Sequence, residues 1–321
     1  MIILLTGAAG FVGHKTAQLL LEDGHTVIGV DNLNDYYDVD LKKYRLSQIK
    51  SENFHFNEID IESLKDLDDL FAKHKIDKVI NLAARAGVRY SMENPHIYLS
   101  TNAQGTLNIL ECMKKFGQKK LVLASTSSLY AGQEMPFLES LPVNEPISPY
   151  AASKKAAETM SYTYHHLYGI DVSVVRYFTV YGPASRPDMA QFRFMRWIEE
   201  GVDIELFGDG KQARDFTYVD DIARGTILAL KDVGYEIINL GGGNNPIEVN
   251  FMITEFERLL NKKAKIKNLP FHKADMKVTW ANIDKANNLL GWKPKIDFKA
   301  GLELCVADFK NNYDFLKGIK L

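Results

Sequence analysis

The sequence predicts an α/β protein, a doubly wound parallel sheet followed by a smaller, mixed C-terminal domain, on three observations. The chain opens with Met1-Ile2-Ile3-Leu4-Leu5, an apolar run short enough for a strand buried on both faces. Apolar runs then alternate with helical segments as far as residue 180, the order that builds a parallel sheet. Beyond Tyr181-Gly182-Pro183 the texture changes to turns such as Phe207-Gly208-Asp209-Gly210, with aromatics and arginines among short helices.

The first strand runs into Thr6-Gly7-Ala8-Ala9-Gly10-Phe11-Val12-Gly13, a helix follows over about 14–23, and a strand over 26–30 closes on Asp31. Strand, glycine turn, helix, strand and acid form a dinucleotide-binding, Rossmann-like unit. The glycines admit a pyrophosphate to the helix N-terminus, and the acid takes an adenosine ribose hydroxyl. The spacing is G-x-x-G-x-x-G, one residue wider than G-x-G-x-x-G. Asp31 repels a 2′-phosphate and no arginine follows it directly, so NAD is expected over NADP; Lys42, Lys43 and Arg45 argue the other way. Further strands are expected over 79–82, 120–124 and 172–176, with a helix over 106–115. The domain boundary falls near residue 180, giving a cofactor domain over 1–180 and a substrate domain over 181–321. The segment 215–240 should pack back on the first domain, because Thr217-Tyr218-Val219-Asp220-Asp221 reads as a strand end and helix cap.

Composition narrows the class. In 321 residues, Lys+Arg 39 against Asp+Glu 41 leaves no basic field for nucleic acid. Cys112 and Cys305 make no metal or redox spacing and suggest a reducing compartment. No apolar run reaches membrane-spanning length, and Met1 leads into a core strand with no signal peptide before it, so a cytoplasmic location is expected. His165-His166 has no carboxylate or cysteine at ligand spacing, which makes it a helix surface rather than a metal site.

The chemistry is carried by Ser148-Pro149-Tyr150-Ala151-Ala152-Ser153-Lys154. Ser148 is a suitable N-cap and Pro149 costs nothing at the first helical position, so Tyr150 and Lys154 share one face of a rigid first turn. A tyrosine beside an ammonium can serve as a base, because the cation favours the phenolate.

The glycine turn and Tyr150-x-x-x-Lys154 together resemble the short-chain dehydrogenase/reductase superfamily, in its extended, sugar-nucleotide-modifying branch. Asp60 after a strand, Leu82-Ala83-Ala84, Asn102-x-x-Gly105-Thr106, Ser125-Thr126-Ser127-Ser128-Leu129-Tyr130, Arg176-Tyr177-Phe178 and Arg214-Asp215-Phe216 carry the likeness nearly end to end. It implies a catalytic set of Thr126, Tyr150 and Lys154. At NAD it implies Gly7, Gly10, Phe11, Val12, Gly13, Asp31, Asn32, Asp60 (at the adenine), Ile61, Leu82, Ala83, Ala84, Asn102, Ser125 and Tyr177 beside Tyr150 and Lys154.

Dehydratases and decarboxylases of that branch carry acids just after the catalytic hydroxyl, where this chain has Ser127 and Ser128. Neither serine can move a proton as an acid near neutral pH, so elimination lacks its carrier and C4 epimerisation remains. The segments 31–37, 86–91, 178–183 and 186–190 are most similar to UDP-glucuronate 4-epimerases, which implies a UDP-sugar substrate, a resident NAD and a homodimer. UDP-glucose epimerases have Asn at the place of Thr179 and no arginine matching Arg89. Independently, the hydroxyls of Thr126, Ser127, Ser128 and Thr179 offer neutral donors for a uronate carboxylate. The likeness assigns Arg193 and Arg214 to the pyrophosphate, Asp275 to ribose hydroxyls, Phe207 to the uracil and Gln212 to the substrate. It leaves Arg89 and Arg186 between substrate contact and structural ion pairing. His272 stands where relatives usually have arginine. The alternatives are a UDP-glucose or UDP-N-acetylglucosamine 4-epimerase, a UDP-glucuronate decarboxylase, and an NAD-binding regulatory protein without turnover.

Overall fold

In a computed structural model the described residues are 1–243, 246–271 and 276–321. Among the described residues thirteen strands follow in chain order: β1 Ile2–Thr6, β2 Thr26–Asp31, β3 Phe54–Glu58, β4 Lys78–Asn81, β5 Lys120–Thr126, β6 Asp171–Tyr177, β7 Thr179–Tyr181, β8 Asp203–Phe207, β9 Ala213–Arg214, β10 Phe216–Tyr218, β11 Tyr235–Leu240, β12 Ile247–Glu248 and β13 Lys265–Leu269. Seven form one parallel sheet in the order β11-β6-β5-β4-β1-β2-β3. The order reverses between β1 and β4, and such a switch point opens a crevice beyond the carboxyl ends of the strands.

The opening apolar run is explained by burial on both faces. Ile3 and Leu5 join the core that also holds Phe11, Phe192 and Trp292, while Leu4 faces the core of Leu67, Ile109 and Ala157. The first helix is Phe11–Glu22, three residues earlier than the sequence suggests, because Gly10 already has the extended backbone of an N-cap. The helix Pro149–Tyr168 begins as expected, with the Ser148 hydroxyl accepting the Ala151 N–H at 3.2 Å.

Past residue 180 the strands are short pairs: β7 with β10, β8 with β13, and β9 with β12. The chain then returns to the main sheet, where β11 pairs with β6 from Tyr235 opposite Val172 to Leu240 opposite Tyr177. Asp215 ties the returning loops together. Its carboxylate accepts the Ala281 N–H at 2.8 Å and the Gly243 N–H at 3.2 Å, and its carbonyl accepts Thr179 N–H at 3.2 Å. Among the described residues no helix is long and apolar enough to cross a membrane, and no cluster of three metal-ligating side chains occurs.

Candidate active site

Two adjoining clefts open beyond the ends of β1, β4 and β5, of about 410 and 1260 Å³. The smaller is lined by Gly7, Gly10, Phe11, Val12, Gly13, Asp31, Asn32, Asp60, Ile61, Leu82, Ala83, Ala84, Ser125, Tyr150, Lys154 and Tyr177, so the expected cofactor residues meet there. Asn102 is the exception. It is buried, accepts the Arg85 N–H at 2.7 Å and donates to the Ser153 hydroxyl at 2.9 Å, fastening the loop after β4 to the Tyr150 helix.

The glycine turn fits a dinucleotide. Gly7 has φ +70°, and a Cβ there would lie 2.8 Å from the Ala83 nitrogen, so only glycine lets the turn reach the end of β4. The following helix has no side-chain cap, which leaves its first N–H groups for an anion. At the far end Asp31 accepts the Ala9 N–H at 3.2 Å, and Asn32 donates to Asp60 at 2.7 Å. The three cations that complicate the NAD preference divide their duties. Lys42 lies 3.7 Å from Asp31, and Lys43 pairs outside with Asp40. Buried Arg45 donates to the carbonyls of Ala184 and Ala9 and to the Tyr37 hydroxyl.

At the inner end Thr126 closes β5 and accepts the Ser128 N–H at 3.1 Å, which turns Ser127 and Ser128 into the cleft. The Thr126 hydroxyl lines the cleft beside the Tyr150 phenol and acts on its proton affinity. Burial raises the Tyr150 proton affinity above the usual phenol range, and the Thr126 hydroxyl and the Arg186 charge pull it back. Burial also pushes the Lys154 ammonium down to about 8, against the charge of Glu158 one turn later. Spacing alone suggested that Lys154 sets the phenolate; in the fold burial dominates both groups, and Arg186 supplies a cationic influence on Tyr150. Tyr98 packs edge-on against Tyr150, with ring centroids 6.1 Å apart.

The larger cleft is lined by Arg89, Arg193, Phe207, Gln212 and Arg214, and shares Ser127, Ser128 and Thr179 with the smaller one. Arg186 lines the smaller cleft and is forked onto Asp188. Gln212 spends its amide N–H on the Phe207 carbonyl at 2.7 Å, and the Phe207 ring, expected near the uracil, carries the Arg89 guanidinium on one of its faces. Asp275 and His272 lie outside the described residues. Sequence reasoning missed Arg85 and Tyr36, which line both clefts. Arg85 directly follows Leu82-Ala83-Ala84, which was the available signal. It donates to Asn34 at 3.0 Å, and its Nε is buried without a partner.

Comparison with known proteins agrees with this geometry. The model of the NAD dependent epimerase/dehydratase family matches residues 3–241. A UDP-glucuronate 4-epimerase of Thermodesulfobacterium geofontis is 61% identical over 319 residues, 99% of each chain. The crystal structure of UDP-glucuronic acid 4-epimerase from Bacillus cereus, in complex with UDP-glucuronic acid and NAD, superposes with a TM-score of 0.91 at 36% identity, covering 98% of this chain and 100% of that one. A UDP-glucose 4-epimerase from Thermotoga maritima with UDP-glucose follows at 0.88 and 31%, over 98% and 100%. Glycine turn, parallel sheet and full-length likeness together place this chain in the NAD dependent epimerase/dehydratase family.

Proposed function

We propose that this chain is an NAD-dependent 4-epimerase that interconverts UDP-glucuronate and UDP-galacturonate. The observation that carries the reading is the hydroxyl lining of the cleft beside Tyr150, from Thr126, Ser127, Ser128 and Thr179. Among the described residues lining that cleft, the carboxylates are Asp31 and Asp60, both at the adenosine end, and Asp188 of the adjoining cleft is forked by Arg186; serines stand at the two places where elimination needs its acid.

Tyr150 takes the proton of the sugar 4-hydroxyl, and Thr126 holds that oxygen by a hydrogen bond. Arg186 favours the phenolate, and Lys154, an ammonium at neutral pH, stands one turn along the same helix. NAD, when bound, accepts hydride from C4 and returns it to the opposite face, so it is regenerated within each cycle. Arg193 and Arg214 hold the diphosphate while the 4-keto sugar turns, with Asp275 at the ribose. Ser127, Ser128 and Thr179 hold the C6 carboxylate. A 4-keto uronate is a β-keto acid, and it keeps its CO₂ only while its carboxylate bond is kept out of line with the ketone π system. Hydrogen bonds to a charged group contribute about 1.5–3 kcal/mol each, so two or three restrain that rotation.

Residues 1–180 with 215–240 form the cofactor half and the remaining residues the UDP-sugar half. A homodimer is the assembly implied by resemblance, and sedimentation tests it. Cys112 and Cys305 are buried free thiols, in keeping with the reducing cytoplasm we assign. The deciding experiment incubates purified protein, without added cofactor, with a panel of UDP-sugars and reads the products by NMR. UDP-galacturonate from UDP-glucuronate supports the assignment; faster turnover of UDP-glucose overturns the uronate while leaving epimerisation.

A further inference from the structure

The geometry points to Arg85 as a strap over the dinucleotide pyrophosphate, a cation that closes the cofactor cleft on the side opposite the glycine turn and slows the exchange of NAD. The inference rests on the NAD-dependent epimerase reading and adds to it the group that keeps the cofactor resident. Arg85 lies in the loop after β4 and Asn34 in the loop after β2, and the Arg85 Nη1 donates to the Asn34 Oδ1 at 3.0 Å. In the sheet β1 stands between those two strands. A bond from one neighbour's loop to the other's therefore passes over the carboxyl end of β1, where the glycine turn begins and where a switch-point crevice seats its ligand.

Both ends of the strap are anchored. The Arg85 N–H donates to the Asn102 Oδ1 at 2.7 Å, and the Arg85 carbonyl accepts the Asn102 amide N–H at 3.0 Å. Asn102 donates in turn to Ser153 on the Tyr150 helix at 2.9 Å. On the other side Asn34 donates to the Asn32 Oδ1 at 2.6 Å, and Asn32 to Asp60 at 2.7 Å. One hydrogen-bonded series thus runs from the loop after β3 to the Tyr150 helix, and the guanidinium is its span across the cleft.

The charge of that span is uncommitted. Among the described residues Arg85 has no carboxylate partner, and its Nε is buried without an acceptor. A guanidinium carries more donors than the one bond to a neutral amide oxygen uses. A phosphate oxygen supplies both missing parts, an acceptor and a counter-charge. The open N-terminus of the first helix holds the pyrophosphate from one side, and Arg85 holds it from the other. Asn34 lines the smaller cleft and not the larger, which keeps the span over the cofactor, whereas Arg193 and Arg214 line the larger cleft.

Cofactor exchange tests the strap. Protein loaded with NADH is mixed with excess NAD, and the loss of bound nicotinamide fluorescence gives the dissociation rate. Arg85→Met keeps the length of the side chain and removes its charge and donors, so NADH release should accelerate about ten- to a hundredfold, the range that one or two bonds to a charged group span. Release from the wild type should also quicken with salt, and Arg85→Met should lose part of that dependence. Asn34→Ala leaves the cation but cuts its anchor, so it should speed release by less. Arg85→Lys keeps the charge without the fork, should fall between wild type and Arg85→Met, and guards against a methionine variant that fails to fold. NADH release at the wild-type rate in Arg85→Met overturns the strap. Faster release that keeps the full salt dependence makes Arg85 a structural tie and overturns the phosphate contact. Weakened UDP binding to the NAD-loaded variant, with NADH release unchanged, assigns Arg85 to the substrate diphosphate and overturns it as well. If release responds as expected while the wild type converts no UDP-glucuronate, the strap stands and the substrate assignment fails.

Discussion

The Arg186 guanidinium grips the Asp188 carboxylate through two parallel hydrogen bonds, Nε to Oδ1 at 2.9 Å and a terminal nitrogen to Oδ2 at 2.7 Å. The fork fixes a cation on the wall of the cleft where its charge favours the phenolate of Tyr150. Asp188 limits that influence, because its charge offsets that of the guanidinium it holds.

Arg186→Met should therefore move the acid limb of the pH–kcat profile to higher pH. The sign follows from the base: Tyr150 works as the phenolate, and losing a nearby cation makes the phenolate harder to form. Asp188→Asn should move the limb the other way, since it leaves the guanidinium uncompensated. An acid limb that stays in place in both variants would remove Arg186 from the field at Tyr150.

The alkaline limb should belong to Lys154. Burial holds its ammonium near a pKa of about 8, so its charge is lost as pH rises through that value, and turnover should fall with it. Lys154→Met should abolish this limb along with most of the activity. Constant kcat from pH 7 to 10 in the wild type would show that the ammonium is dispensable.

Tyr150→Phe removes the base and leaves the UDP anchors of the larger cleft in place. Turnover should drop by about 10²–10⁴-fold. UDP affinity measured by calorimetry should stay within a few fold. Activity above a tenth of wild type would send the proton by another route.

Gly13→Ala tests the cofactor seat. A Cβ at Gly13 would collide with the Gly7 carbonyl oxygen, a backbone atom that cannot step aside without moving the turn. The purified variant should carry much less NAD, read by absorbance after denaturation. Full cofactor content would place the dinucleotide elsewhere.

Local features of this protein are legible because they need only short stretches of chain. The first strand reads as doubly buried because Ile3 and Leu5 point to one core and Leu4 to the other. The Tyr150 helix reads correctly because Ser148 and Pro149 mark its start within two residues of the chemistry. What stays hidden depends on distant partners. Nothing near Asn102 says that its amide is spent on Ser153, and nothing near Phe207 says that Arg89 covers its ring. Arg45 resembles a phosphate-reading cation until the fold surrounds it with the Ala184 and Ala9 carbonyls. The effect of burial on Tyr150 is invisible for the same reason, since it comes from everything packed around the helix rather than from the residue four positions on.

The uronate is tested through its carboxylate. Ser127 and Ser128 stand at the turn after β5, where the Thr126 hydroxyl holds the Ser128 N–H and both residues reach the two clefts. Ser127→Ala with Ser128→Ala keeps the backbone turn and the Tyr150–Thr126 pair but removes two donors to the C6 group. The carboxylate of the 4-keto intermediate is then free to rotate into line with the ketone, and each lost bond of about 1.5–3 kcal/mol lowers the barrier to that rotation. A UDP-4-ketopentose and CO₂ should rise relative to UDP-galacturonate, as NMR of the product mixture would show. Preference for UDP-glucuronate over UDP-glucose should shrink at the same time, because the donors that distinguish a carboxylate from CH₂OH are gone. An unchanged partition would move the carboxylate contact to Thr179 and Arg186, and Arg186→Met in the double-serine background would be the next variant to measure.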